Sequence, residues 1–384
     1  MRHRKARGLA TIVTIATIAT ALVAGDARGV GTLRERGRLV AFHAHTGERA
    51  WKVEGSPPGR YFEIHAVTPG VVIGWRAGCD ADAARPPLPE YVAFDVRSGE
   101  QLWQKSAPGS YLSYGATRAV SVVVTQQADA VSAFDTRTGR LQWRVQEGGY
   151  PAVTAVPDAP VLLLDTVGTD ERSLTALAAR DGAPLWQVGL PSNYEWRVAG
   201  ADVTSVVLVG ATIFGVKNHL MIVLDVSSGA ERFRREVQSD GGQLARSVIL
   251  VGNVSDQLFD RTRIALDVVN GSELWRSDRF DWIGFAPSDG GTLLAGTRTP
   301  STLSALDPGS GVTRWQRAVE AEEYGVASNG EVLAMTGPNR LFALDASTGR
   351  ELWRRPRTGF FSGTWMTKEG LLLVGKSCVE PDGG

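Results

Sequence analysis

The chain has 384 residues, 43% of them hydrophobic and 21% charged, with 41 basic side chains against 41 acidic ones. This composition excludes a polytopic membrane protein and a disordered chain, and the balanced charge creates no general field for nucleic acid or anionic membrane. Two cysteines, Cys79 and Cys378, are too few for a disulfide framework and enough for one bridge.

The chain opens on a basic stretch, Arg2, Arg4, Lys5 and Arg7, followed by an uncharged run over residues 9–25 and by small residues at Ala24, Gly25 and Ala27. That order predicts a signal peptide over 1–27, with an uncleaved signal anchor as the alternative, and a linker over 28–38. No cysteine lies near the cleavage sites, which argues against a lipid anchor. Loss of residues 1–25 removes four basic and no acidic residues, leaving 37 basic against 41 acidic, a net charge of −4. Export would place the body of the chain in the cell envelope or outside the cell, where thiols oxidise.

From residue 39 onward the chain repeats. Eight segments share an apolar pair, an aspartate position, a Ser/Thr-Gly turn and an aromatic residue four positions after the glycine. They read AFHAHTGERAW (41–51), AFDVRSGEQLW (93–103), AFDTRTGRLQW (133–143), ALAARDGAPLW (176–186), VLDVSSGAERF (223–233), ALDVVNGSELW (265–275), ALDPGSGVTRW (305–315) and ALDASTGRELW (343–353). Each is a hairpin: the aspartate accepts turn amides, and the glycine takes the left-handed conformation that a short loop with a bulge requires. Two more apolar runs separate consecutive hairpins, so a period of about 40–45 residues holds four short strands, the signature of a β-propeller blade. Residues 39–384 are therefore predicted to form a single all-β domain, an eight-bladed propeller of four-stranded antiparallel blades. Seven blades is the alternative should one inner pair be degenerate, the weakest being that around Leu244 and Val251. The chain begins on an outer hairpin and ends on an inner pair, which predicts a composite blade built from both termini.

These hairpins resemble the pyrroloquinoline quinone (PQQ) repeat, and over roughly 39–375 the chain looks like a PQQ-like propeller. Within that family it is most similar to the non-enzymatic branch that includes the lipoprotein of the outer-membrane barrel assembly machinery. The resemblance implies that Trp51, Trp103, Trp143, Trp186, Trp275, Trp315 and Trp353 dock each blade onto the next. The family's alcohol dehydrogenases carry adjacent cysteines and acidic and amide calcium ligands. This chain has no adjacent cysteine pair and no long insertions for a cofactor lid. No catalytic residue, metal site or resident cofactor is expected. PQQ with calcium enters only under the alternative of a quinoprotein dehydrogenase.

Other motifs dissolve on inspection. Residues 370–377, GLLLVGKS, fit the letters of a phosphate-binding loop, but their variable positions read as a strand and no helix can follow in the few remaining residues. His43 and His45 stand two apart, a weak metal geometry, and His43 occupies an aspartate position of the repeat. Arg232, Arg234 and Arg235 form a local run that reads as a solvated edge strand rather than a nucleic-acid stripe.

Aromatic residues stand at the entrance to the inner strands of most blades: Tyr61, Tyr111, Tyr150, Trp196, Trp282, Tyr324 and Phe361. They would either ring a channel mouth as a ligand surface or pack between blades as core. Cys79 and Cys378 follow equivalent strands of adjacent blades, which predicts a disulfide between them. The sequence thus reads as an exported, non-catalytic scaffold for a protein or small ligand, with a membrane-tethered sensor as a further alternative.

Overall fold

The computed structural model describes residues 38–54, 60–78, 90–106, 114–117, 122–127, 130–146, 152–156, 158–167, 172–212, 219–237, 242–245, 247–252, 262–286, 291–320, 324–337, 340–356 and 361–376. The chain divides into two units, Met1–Arg34 and Glu35–Gly384. The predicted signal peptide and most of the linker lie outside the described residues, as do both cysteines and therefore the predicted bridge.

The second unit is a β-propeller of four-stranded antiparallel blades. Its strands fall into eight sheets. Blade 1 runs from its inner strand outward as Phe361–Met366, Leu371–Lys376, Arg38–His43 and Arg49–Glu54, so it is built from both ends of the chain. The two ends pair antiparallel, with Leu39 opposite Gly375, Ala41 opposite Leu373 and His43 opposite Leu371. Blades 2 to 8 follow in sequence over 60–106, 114–146, 152–190, 194–237, 242–277, 282–318 and 324–356. The inner pair around Leu244 forms completely, from Gly242 opposite Val251 to Ala245 opposite Val248.

The second strand of a blade is buried on both faces because a neighbouring blade covers each one. That is why these strands read as continuous apolar runs rather than alternating ones, as in Val206–Val209, Leu162–Leu164 and Leu371–Val374, all at most 6% exposed. The letters that imitate a phosphate-binding loop are one of these runs: Gly370 turns at φ +78° and Leu371–Lys376 is a strand. Each fully buried Leu or Val in such a run contributes roughly 1.5–3 kcal/mol of transfer free energy. Outer strands instead alternate, as in Thr313–Ala318, with one face turned to water.

The seams between blades repeat one device. Every hairpin glycine (47, 99, 139, 182, 229, 271, 311 and 349) holds φ between +66° and +73°. Over each lies the aromatic ring of the preceding blade. Trp51 covers Gly99, Trp103 covers Gly139, Trp143 covers Gly182, Trp186 covers Gly229, Phe233 covers Gly271, Trp275 covers Gly311, Trp315 covers Gly349 and Trp353 covers Gly47. A Cβ on any of these glycines would sit 2.5–2.8 Å from ring carbon, so the contact excludes every other residue. Each tryptophan also donates its indole N–H to a turn carbonyl of the blade it covers. The acceptors are Val96 (2.7 Å), Thr136 (2.8 Å), Ala179 (3.0 Å), Val226 (2.9 Å), Pro308 (2.7 Å), Ala346 (2.9 Å) and, for Trp353, Ala44 (2.6 Å). The last of these returns from blade 8 to blade 1.

Candidate functional site

Each blade presents two ends, and the hairpin ends are the more regular. Six of the eight turns are closed by an aspartate: Asp345 accepts the amide and hydroxyl hydrogens of both Ser347 and Thr348, and Asp95, Asp135, Asp225, Asp267 and Asp307 play the same part. These bonds favour the charged carboxylate. Hydroxyl donation from Ser347 and Thr348 lowers Asp345 to about 2. Ser227 and Arg232 hold Asp225 well below the usual carboxylate range, and Arg314 and Ser310 lower Asp307. In blade 1 His43 takes the aspartate's place, with the same main-chain ring closed by Gly47 N–H on His43 O at 2.7 Å.

The arginine run of blade 5 lies on an outer strand with one face in water and is paired there. Arg232 binds Asp225, Thr204 O and Ser205, Arg234 pairs with Glu231, and Arg235 donates to Gly271 O in blade 6. Nearer the axis, Lys368 in the inner turn of blade 1 meets Asp158 in the inner turn of blade 4 at 3.1 Å. This pair joins blades that are not neighbours, though at 69% and 42% side-chain exposure its energy is modest.

Between these closed turns the hairpin ends carry exposed apolar side chains. Among the described residues seven large hydrophobics are exposed, and six of them lie here. Leu141 and Leu185 begin the outer strands of blades 3 and 4, and Val203 tops the inner turn of blade 5. Val269 and Leu274 flank the hairpin of blade 6, and Val312 follows the glycine in blade 7. Among the described residues blades 8, 1 and 2 contribute none, Leu102 and Leu352 being half-buried at the position of Leu274. The equivalents of Val269 elsewhere are His45, Arg97, Arg137, Arg180, Ser227, Gly309 and Ser347, none of them a large hydrophobic. The apolar residues thus follow one arc of five consecutive blades. The sequence held this signal as departures from an otherwise polar turn, visible only after the repeats are superposed.

At the opposite ends, where inner strands begin, two of the seven aromatic positions have described side chains. Trp196 is core: it is 4% exposed, its ring covers Gly210 on the paired strand, and its N–H reaches Pro191 O at 2.9 Å. It presents no open face to a ligand. Trp282 covers Gly296 in the same way yet remains 39% exposed, beside Asp281, whose carboxylate accepts the Arg298 amide. The side chains of Tyr61, Tyr111, Tyr150, Tyr324 and Phe361 lie outside the described residues.

Two polar groups at these ends escape the sequence pattern. Asp165 is largely buried, with its Oδ1 unbonded among the described residues, and burial raises its pKa against the pull of Arg172. Arg172 donates from Nη1 to Tyr194 O of blade 5 at 3.2 Å. In blade 2, Glu63 lies 3.6 Å from His65, which lowers the carboxyl's pKa, and the His65 ring lies 5.6 Å from that of Trp75. Among the described residues no three His, Cys, Asp or Glu side chains gather as metal ligands.

Comparisons with known proteins follow the same lines. The chain spans 62% of the length of the outer membrane protein assembly factor BamB of Moranella endobia, at 24% identity over 59% of its own residues. It spans 22% of the serine/threonine-protein kinase AfsK of Streptomyces coelicolor, at 29% identity over 45% of its own. Among solved structures it shares the fold of the dihydro-heme d1 dehydrogenase NirN, with a TM-score of 0.53 and 14% identity over 86% of this chain and 75% of that one. The family described as outer membrane protein assembly factor BamB matches over residues 35–277, 260–359 and 299–377, nearly the whole propeller, and this chain belongs to that family.

Proposed function

We propose that the chain is an exported, non-catalytic β-propeller that holds protein partners in the cell envelope. The observation that carries this reading is the arc of exposed apolar residues at the hairpin ends of blades 3 to 7. Exposed apolar surface inside a polar rim marks where proteins bind other proteins, and these turn tips would supply it along one arc. The names of the BamB relatives, assembly factors for outer membrane proteins, support the same class of partner. In this reading the aromatic docking closes the sheets into one eight-bladed ring, a stiff platform whose turn tips are free to specialise. Residues 1–27 direct export, and a Cys79–Cys378 bridge ties the composite blade to its neighbour.

The dehydrogenase alternative would be read out by bound-quinone absorbance and dye reduction on addition of PQQ with calcium. A sensor of small ligands has one favourable observation, the exposed indole of Trp282, with only part of the similarity to AfsK to add to it.

The test is complementation. A strain lacking the chain is supplied with the wild type or with the double substitution Val269→Glu and Val312→Glu, and the level of assembled outer-membrane barrels is measured. The double substitution is expected to accumulate normally and to fail in rescue. Full rescue would overturn the reading.

A further inference from the structure

Among the described residues the outer strand of every blade leaves one edge without a strand beside it, and such edges invite pairing unless charges guard them. Seven outer strands here are guarded. Arg49–Glu54 carries Arg49, Lys52 and Glu54, Gln101–Ser106 carries Lys105, and Leu141–Gln146 carries Arg144. The outer strands of blades 5 to 8 each carry at least two charged residues. The outer strand of blade 4, Pro184–Leu190 (PLWQVGL), carries none.

The direction of its backbone follows from the hairpin. Ala178 donates to Ala183 O and accepts from Gly182 N–H, so Ala178, Ala176, Leu174 and Arg172 turn their main chain toward the outer strand. Their register partners Trp186, Val188 and Leu190 are thereby paired inward. Gln187 and Gly189, between them, turn N–H and C=O outward. Both residues are exposed, and a Cβ built on Gly189 meets nothing within 4 Å.

We propose that this edge pairs antiparallel with the same edge of a second copy of the chain, about a two-fold axis through Val188. In that register Gln187 stands opposite Gly189 of the other copy, and each pair exchanges both main-chain hydrogen bonds. The Gln187 side chain fills the space that Gly189 leaves open, and does so twice by symmetry. Its amide already donates to Ser173 Oγ at 3.0 Å and keeps a second hydrogen and a second lone pair to offer. The two Val188 side chains meet across the axis, an apolar β-branched pair of the kind that stabilises strand pairing. A strand with no charge and a hollow one residue from its centre is self-complementary, which is what a two-fold interface requires. The strand shares Leu185 with the protein-binding arc, but this inference rests on Gln187, Val188 and Gly189.

The experiment is sedimentation velocity on the full chain over a concentration series reaching several hundred micromolar. A contact this small is expected to give a dimer with a Kd on the order of 10–100 µM. Two substitutions borrow what other blades carry at the same position; Val188 packs partly against the core of its own fold, and a Cβ on Gly189 meets nothing. Val188→Lys copies Lys105 and places like charges on the axis. Gly189→Glu copies Glu54 and fills the hollow. Each should raise the Kd at least tenfold, Gly189→Glu with the melting temperature unchanged and Val188→Lys with a modest loss from its core packing, whereas Gln104→Lys on the outer strand of blade 2 should leave the dimer intact. A wild type that sediments as a monomer throughout would overturn the proposal, as would dimerisation unchanged in both blade 4 variants.

Discussion

Blades 3 to 7 and blades 8, 1 and 2 are built on the same eleven-residue hairpin, yet they present different surfaces. In both arcs the glycine sits under the preceding blade's aromatic ring, and in both the turn closes through the same main-chain hydrogen bonds. Only in blades 3 to 7 do the remaining described positions leave Leu or Val more than a third exposed, whereas Leu102 in blade 2 and Leu352 in blade 8 are half-buried. Residues that make the fold and residues that meet the outside therefore interleave within one segment. The first kind repeats because every seam poses the same steric problem. The second kind varies because each turn tip faces water or a partner and no neighbour constrains it.

If the shared part is indispensable, the largest effects should come from breaking it, and in either arc alike. Trp353→Ala removes the ring over Gly47 and the bond to Ala44 O, the only seam contact of this kind that joins blade 8 to blade 1 among the described residues. A loss of about 3–5 kcal/mol is expected in a denaturant melt, and Trp186→Ala in the other arc should cost a similar amount. Gly349→Ala comes next. Its φ of +69° and a Cβ 2.6 Å from Trp315 force both backbone and ring to give, for about 2–4 kcal/mol.

Blade 5 sharpens the comparison by separating packing from hydrogen bonding. Phe233 covers Gly271 as closely as any tryptophan does but has no N–H to donate, while Arg235 reaches Gly271 O at 2.8 Å. Coverage of the glycine is the common requirement and the indole bond an addition. Trp186→Phe should therefore cost only about 1 kcal/mol, much less than Trp186→Ala. Equal losses for the two substitutions would show that the hydrogen bond, not the packing, holds the seam.

Smaller again is the acid dependence of the turns. Asp345 titrates in the folded chain at about 2, below the unfolded value of about 3.9. Its contribution is thus fully present above the unfolded pKa and drains away as pH falls from about 4 to about 2. Asp345→Asn should flatten part of the acid limb of stability against pH without moving the plateau near neutrality by more than a small amount. A variant with the same acid limb as the wild type would remove this turn from the account.

How much of this was legible in the sequence follows from the same division. The docking of the tryptophans came from the resemblance of the repeat, whereas the hairpins and the pairing of the two termini could be read directly, because each rests on residues with one steric use, glycine at positive φ and apolar runs between two covers. The ligand ring could not. Trp196 and Trp282 occupy the same register position opposite a glycine, but Trp196 is closed over by the Tyr194 side of blade 5 and Trp282 is not. Neighbouring elements decide that, and no local pattern records them. Val269 and Val312 carry no sequence signal for a related reason, since a lone valine in a turn stands out only when its seven equivalents are set beside it.

The division itself is tested most directly at one repeated position. A photo-crosslinking amino acid placed in turn at His45, Arg97, Arg137, Arg180, Ser227, Val269, Gly309 and Ser347, all exposed turn tips, samples every blade at the same depth. In the living cell, crosslinks to a discrete envelope protein are predicted from the positions in blades 3 to 7, strongest at Val269, and none from blades 8, 1 and 2. An even pattern around the ring, or one centred on blades 8, 1 and 2, would contradict the account.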